Sequence, residues 1–292
     1  MADSLAYDSI EIGKRIGPFY YPLQDRIARY LEATENAHPW HHSRSPWGPP
    51  IAPPTLIGNA TLRFIDSVSP VPPGTLHAKQ EVETQAALRL DRHPMAYGQF
   101  VEKYERRGRR WFVFEARWRE ETGLLIGHTR TTMAFPEKIE TSDNGSTRTA
   151  EQKKGEKTPE LPAITRTLAQ PHLTAYTEDS ANALRGTSIH IDPVIASEAG
   201  YPKTLAQGMM AAEPISEILT NLLGKEWFAN ARLSLAFTKP ILCGETLTAS
   251  GRLASETERG AVVDRQYEVW TKDSAGDIVA VGTAASLVMP GK

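Results

Sequence analysis

Two short stretches of the chain gather residue types suited to moving protons. In "GTSIHIDPVIASEAGYPKTLAQGMM", residues 186–210, His190 follows the hydroxyls of Thr187 and Ser188 and precedes Asp192 by two positions. A histidine titrates near neutrality and so gives and takes protons at physiological pH. Hydroxyls at its side can hold a water or a carbonyl oxygen. Asp192 directly before Pro193 has the order of a helix N-cap followed by a first-turn proline, which gives it a structural reading. Gly208 is placed where a neighbouring element or a ligand can come close. Tyr201 and Met209 read as core, with pocket lining as the alternative. The second stretch, "ENAHPWHH", residues 35–42, sets Asn36, His38, His41 and His42 around Trp40. It reads either as a pocket wall or as a His-rich loop tip with Trp40 and Trp47 as packing.

The bulk composition narrows the setting for this chemistry. A chain of 292 residues has room for two domains of ordinary size. Its 40% hydrophobic and 23% charged residues are globular proportions. A formal net charge of −2, with no basic stripe of interleaved aromatics, argues against nucleic acid as a partner. Arg106, Arg107, Arg109 and Arg110 form a charged hairpin start or, alternatively, a patch for a phosphate-bearing ligand. The single cysteine, Cys243, excludes an intrachain disulfide and a thiolate metal cluster, and reads as a small buried apolar residue. No signal-like apolar region, spanning segment or peroxisomal address is visible, so a cytoplasmic protein that does not enter membranes is expected. There is no glycine-rich phosphate loop, serine nucleophile elbow, dinucleotide fingerprint or metal-ligand spacing, and no cofactor or metal is expected.

The elements that position these residues fall into two similar halves. The segment 136–162 is polar, charged and almost free of large apolar residues, which marks it as a flexible linker. It separates residues 1–135 from residues 163–292. Each half opens on a helix-like stretch, "QDRIARYLEAT" and "TAYTEDSANAL", and passes through a His-containing loop. Each closes on strands: "HAKQEVETQAAL", "GQFVEKYERRG", "RRWFVFEARWREE" and "GLLIGHTRTTMAF", then "RLSLAFTKPIL", "ETLTASGRLASETE", "GAVVDRQYEVWTKDS" and "DIVAVGTAASLVM". Alternating runs separated by Gly and Asp-Ser turns predict antiparallel hairpins. In "PISEILTNLLG", Ile215, Ile218, Leu219 and Leu222 at helical spacing predict a buried helix stopped by Gly224. The expected class is α+β, internally duplicated, with the two sheets pairing edge to edge.

The stretch "SIHIDPVIASEAGYPKTLAQGMM" resembles the signature loop and helix of the (R)-specific enoyl-thioester hydratases, the MaoC-like group with the hot-dog fold. His190, Asp192, Pro193, Ala196, Gly200, Gln207, Gly208 and Met209 fall in register with that family's motif, and "LAFTKPILCGETLTASGRL" resembles a later family segment. The likeness covers most of residues 163–290. The first half looks like the degenerate repeat of double hot-dog members, by "GPPIAPPTL" and "YERRGRRWFVFEARW". The resemblance implies a double hot-dog lyase, each repeat a central helix wrapped by an antiparallel sheet. It implies water held by an Asp and a His, syn addition of that water to a 2-enoyl thioester or the reverse, and a carbonyl polarised by a backbone N–H at the central helix. It also implies a homodimer.

The match departs from the family where the chemistry is most demanding. Counting back five residues from His190, Arg185 stands in place of the catalytic Asp, with Thr187 and Ser188 at the Asn and Pro positions. A guanidinium stays protonated and is no general base. Glu178 or Asp179 would have to stand in through a longer loop, or else be solvated carboxylates. In the first half the same spacing puts Asn36 at the Asp position and His41 at the His. The expected site therefore has His190 as acid/base with Arg185 and Ser188 beside it, and Thr187, Gly208, Met209, His41 and Asn36 binding an acyl thioester or a polyketide-like small molecule. The alternative is a hot-dog protein that has lost its chemistry and serves in binding or assembly.

Overall fold

The computed structural model describes residues 4–136, 159–177 and 188–289. In the first half the order is β1 (Ile16–Tyr20), α1 (Leu23–Thr34), α2 (Pro39–His42), α3 (Leu56–Val68), β2 (Leu76–Thr84), β3 (Pro94–Arg106), β4 (Arg109–Glu120) and β5 (Leu125–Ala134). The second half repeats it with β6 (Ile164–Thr167), α4 (Gln170–Thr177), α5 (Pro193–Glu198), a 3-10 turn (Gly208–Ala211), α6 (Glu213–Leu223), α7 (Lys225–Ala229), β7 (Ala231–Phe237), β8 (Thr246–Arg259), β9 (Val262–Lys272) and β10 (Ile278–Val288). All the strands join one ten-stranded sheet in the order β1-β3-β4-β5-β2-β7-β10-β9-β8-β6. Read outward from its centre, the order is the same in both directions, so the halves are related by a pseudo-dyad.

That dyad runs between β2 and β7, which pair antiparallel with Val82 opposite Leu233 and Glu81 opposite Ser234. The pairing covers the edge that each half-sheet would otherwise leave open. Each half-sheet wraps one long helix, which is the double hot-dog arrangement. On α3 the inner stripe is Leu56, Ile57, Ala60, Phe64 and Ile65, buried against Phe112, Phe114 and Trp118 of β4. Thr61, also enclosed, accepts from Trp118 Nε1 at 3.1 Å and meets Thr129 Oγ1 at 2.7 Å, so the buried Trp118 indole is not orphaned. On α6 the stripe is Ile215, Ile218, Leu219 and Leu223, and Gly224 ends the helix with φ 59°.

Several expectations shift by small amounts. Leu222 is exposed and Leu223 takes the inner position, eight residues after Ile215 on the same face. The predicted strands are all present, while α3, the short helices α2 and α7 and the short outer strands β1 and β6 are additions. The four arginines sit at the β3–β4 hairpin, where Arg107 and Gly108 take φ of 54° and 74°. Most of the expected linker, residues 137–158, lies outside the described residues. Its last part is already structured: Leu161 N–H donates to Gly251 O at 2.8 Å and Glu160 bridges Arg252. We therefore propose that the second repeat begins near Glu160. No helix among the described residues is long and apolar enough to cross a membrane.

The close winding of strands at the centre of the sheet depends on two glycines. Gly127 of β5 and Gly282 of β10 lie next to β2 and β7, where an added Cβ would overlap the carbonyl oxygens of Glu83 and Ser234. Relief requires backbone movement in a central strand, which costs on the order of 2 kcal/mol or more. Gly282→Ala is expected to lower the unfolding free energy by at least that amount in urea titration. An unchanged midpoint would contradict this packing.

Candidate functional site

The site begins with a tight turn. Asp192 N–H donates to Ser188 O at 3.0 Å, and His190 N–H donates to Ser188 Oγ at 3.2 Å. Asp192 Oδ1 accepts from Val194 N at 2.8 Å and caps α5, so its carboxylate is engaged with the helix. The turn leaves the His190 ring beside the strap 205–208. There Leu205 N–H donates to Ile189 O at 3.1 Å and Ala206 N–H to Ile241 O at 2.8 Å.

One contact fixes the state of the imidazole. His190 Nδ1 lies 2.7 Å from Leu205 O. A carbonyl only accepts, so Nδ1 carries the hydrogen and Nε2 keeps the lone pair. Burial holds the His190 pKa below its ordinary 6.5, against a smaller opposing effect of the Leu205 bond. At neutral pH His190 is thus an uncharged imidazole with a fixed tautomer, the form in which a histidine acts as a base.

His190 lines a cavity of about 430 Å³ that both halves build. From the second half come Ser188, Tyr201, Gln207 and Gly208; Tyr30, Asn59, Arg63, His77, Trp111 and Met133 come from the first. Gln207 Nε2 donates to Thr177 Oγ1 at 3.1 Å, which ties the strap to the end of α4. Gly208 opens the 3-10 turn and leaves space for Phe237, whose ring atoms lie 3.0–3.2 Å from where a Cβ would be. The first amides of such a turn have no partner within it and face outward as donors. Among the described residues no group of three His, Cys, Asp or Glu is placed to hold a metal ion.

The structure thus brings Ser188, His190 and Gly208 to one cavity. Arg185, Thr187, Glu178 and Asp179 lie outside the described residues. Met209 is fully enclosed against Gly58 and does not line the cavity. His41 and Asn36 do not line it either, contrary to expectation. Asn36 Oδ1 accepts from His38 N at 3.1 Å, which ties its side chain into the loop. His41 is the structural counterpart of His190: its Nδ1 meets Ile51 O at 2.7 Å, and Ala52 N–H donates to Leu88 O at 2.8 Å as Ala206 does to Ile241. The space a ligand would need is filled there by Trp40, Trp47 and Phe228, which pack with ring centroids 5.5–6.1 Å apart. Among the described residues, the first repeat keeps the hydrogen bond and packs aromatic rings where the second has a cavity.

Sequence spacing gave no sign of His77. Its ring packs on Phe237 with centroids 4.8 Å apart, and burial pushes its pKa down to about 4, although Gln80 and the Lys79 main chain lie near enough to oppose this in part. Tyr30 and Tyr176 were also missed, yet they carry a repeat legible in the sequence: Ile27-x-x-Tyr30 on α1 and Leu173-x-x-Tyr176 on α4.

Comparison with known proteins agrees with this fold. Residues 150–272 match the family described as MaoC like domain. No curated protein matches the chain by sequence. Among solved structures, a MaoC-like dehydratase is similar with a TM-score of 0.74 at 17% identity, covering 97% of this chain and 99% of its own. A MaoC-like dehydratase from Phytophthora capsici has a TM-score of 0.68 at 15% identity, covering 98% and 99%. A conserved hypothetical protein from Mycobacterium tuberculosis, described as a double hotdog fold, has a TM-score of 0.65 at 12% identity, covering 98% of each chain.

The enclosed His41 has a consequence for stability. It is 2% exposed, and desolvation lowers its pKa to about 4. Its folded-state value lies below the unfolded one, so its contribution is intact above pH 6.5 and is lost as pH falls through about 4. The loss reaches about 3 kcal/mol. His41→Gln is expected to remove that part of the acid sensitivity, read as a smaller difference between urea-unfolding free energies at neutral and acid pH than in the wild type.

Proposed function

Because the chain carries a MaoC-like domain on a double hot-dog fold, we propose that it is a hydro-lyase acting on an enoyl or β-hydroxy carbonyl compound held in the cavity at His190. The observation that carries this reading is the His190 imidazole, kept neutral and in one tautomer by burial and by Leu205 O, on the wall of a cavity of about 430 Å³.

In the hydration direction His190 Nε2 takes a proton from water as the oxygen bonds to the β-carbon, and the imidazolium so formed gives that proton to the α-carbon, restoring the neutral ring. In the reverse direction His190 Nε2 removes the α-proton and the imidazolium passes it to the β-hydroxyl, which leaves as water. Charge develops on the carbonyl oxygen in both. The Gly208 amide at the start of the 3-10 turn is the donor we assign to it, since a preorganised N–H in an enclosed site costs no reorganisation. The hydroxyl of Ser188, buried beside His190, helps place the water. An acyl thioester or a polyketide-like small molecule fits the mixed apolar and polar lining.

Arg185 in place of an acidic residue favours a second reading, a protein that binds such compounds without turning them over. The two are separated by assaying purified protein with a short 2-enoyl-CoA and with a β-hydroxy ketone. Turnover is expected with at least one of them, and His190→Ala is expected to lower kcat/KM by about 10²-fold or more while the protein stays folded. Arg185→Asp is expected to raise 2-enoyl-CoA hydration. Full activity in His190→Ala would overturn the assignment, and saturable binding without turnover would favour the second reading.

A further inference from the structure

A second polar pole of the cavity lies where the two repeats meet, and the chemistry above leaves it unused. Tyr30 of α1 and Tyr176 of α4 stack across the pseudo-dyad with ring centroids 5.4 Å apart and planes at 28°. Both line the cavity. Both phenols also donate to one oxygen of Glu213, the first residue of α6: Tyr30 at 2.6 Å and Tyr176 at 3.2 Å to Oε1. Thr55 Oγ1, at the start of α3, donates to Oε2 at 2.7 Å. Glu213 is 2% exposed, and this carboxyl is held entirely by hydroxyls drawn from both repeats.

The hydrogens can be counted. An ionised Glu213 accepts from all three hydroxyls, so both phenolic protons point inward and the tyrosines offer the cavity only lone pairs. A neutral Glu213 brings a proton of its own, which needs an acceptor among the same hydroxyls. Both phenols approach Oε1, so a proton carried there goes to one of them, whereas Thr55, on Oε2, is enclosed and does not line the cavity. A tyrosine that accepts the proton turns its own O–H away from Glu213, towards whatever occupies the cavity. The carboxyl therefore selects the hydrogen-bonding character of a surface it does not itself reach.

We propose that Glu213 is a positioning residue for the substrate: in its protonated form it makes Tyr30 or Tyr176 a hydrogen-bond donor to a carbonyl or hydroxyl oxygen of the bound compound, and in its ionised form it withdraws that donor. This rests on the reading of the cavity as the substrate site. Desolvation, opposed by the bonds from Tyr30, Thr55 and Tyr176, raises the Glu213 pKa to about 7, so both forms are present near neutrality. The phenols are pushed well above 10, chiefly by burial, and stay protonated. Glu217 on α6 raises the Glu213 pKa further, and is itself paired with Arg166 of β6 at 3.0 Å and lies near Glu35 after α1. Arg26 of α1, Arg63 of α3, His77 of β2, His190 and Lys239 line the same cavity as the two tyrosines. Tyr21 adds a weaker influence on Tyr176. From β9 the neighbour is the uncharged Thr271, bonded to Ala211 O at 2.8 Å.

The test follows the proton. On a 2-enoyl-CoA, wild-type kcat/KM is expected to fall about tenfold per pH unit above about 7, as the neutral acid is depleted. Glu213→Gln, a permanently neutral replacement, is expected to stay within a few-fold of wild type below that pH and to lose the fall above it. The His190 limb lies on the acid side and is not confused with it. Tyr176→Phe removes a bond that lowers the Glu213 pKa and is expected to move the limb to higher pH, which keeps the proposal testable should Glu213→Gln not fold. Independently of turnover, infrared difference spectra should show a protonated-carboxyl band below about pH 7 that is absent in Glu213→Gln and moves when butyryl-CoA binds. A wild-type profile in Glu213→Gln, or a carboxyl band indifferent to butyryl-CoA, overturns the proposal. A responsive band without turnover on any thioester supports it and strikes the hydro-lyase reading alone.

Discussion

The antiparallel pairing of β2 with β7 is the constraint on which the rest of the molecule depends. It joins two half-sheets into one and sets the starts of α3 and α6 close enough for Thr55 Oγ1 to donate to Glu213 at 2.7 Å. Had the halves been tethered only through the segment between them, α1 and α4 would have no fixed relation. Tyr30 and Tyr176 would then not meet, and the cavity, walled from both repeats, would have no far side. The pairing is permitted by small residues at the centre of the sheet, since Gly127 and Gly282 press against the strands that form it.

The two repeats use one device for different ends. In each, a histidine in the loop before the central helix donates Nδ1–H to a main-chain oxygen further along, Ile51 for His41 and Leu205 for His190. That bond serves the fold, because it ties the loop to the strap that enters the helix. Only in the second repeat is the other nitrogen's side of the ring left to a cavity; in the first, tryptophans and Phe228 occupy the equivalent space. What separates the two repeats here is the filling of the volume beside a shared structural histidine: a cavity in one, aromatic rings in the other. At His190 the Leu205 bond fixes the tautomer while burial, outweighing that bond, keeps the ring uncharged.

The strands were legible because their alternation of apolar and polar residues is a local signal, and each run from "HAKQEVETQAAL" to "DIVAVGTAASLVM" became a strand within a few residues of its expected limits. The short outer strands were not, since Ile16–Tyr20 and Ile164–Thr167 carry four or five residues of weak pattern. The helix Leu56–Val68 was hidden by its threonine, asparagine and glycine, which blur an apolar stripe. His190 was found from motif spacing. His41 was drawn in by the same spacing, and nothing local tells an imidazole facing a cavity from one facing Phe228.

What the sequence determined by itself is the repeat, the α+β class, the stretch that holds His190 and the arginine standing five residues before it. These are properties of neighbours along the chain. What only the tertiary structure decided is which residues share a volume: that Met209 is enclosed, that His77 reaches the cavity wall, and that Glu213, set between alanines and a proline in "AAEPIS", meets three hydroxyls from distant elements. Those contacts span 37 to 183 residues of sequence. No local periodicity encodes them, because they arise from packing one repeat against the other across an axis the chain does not mark.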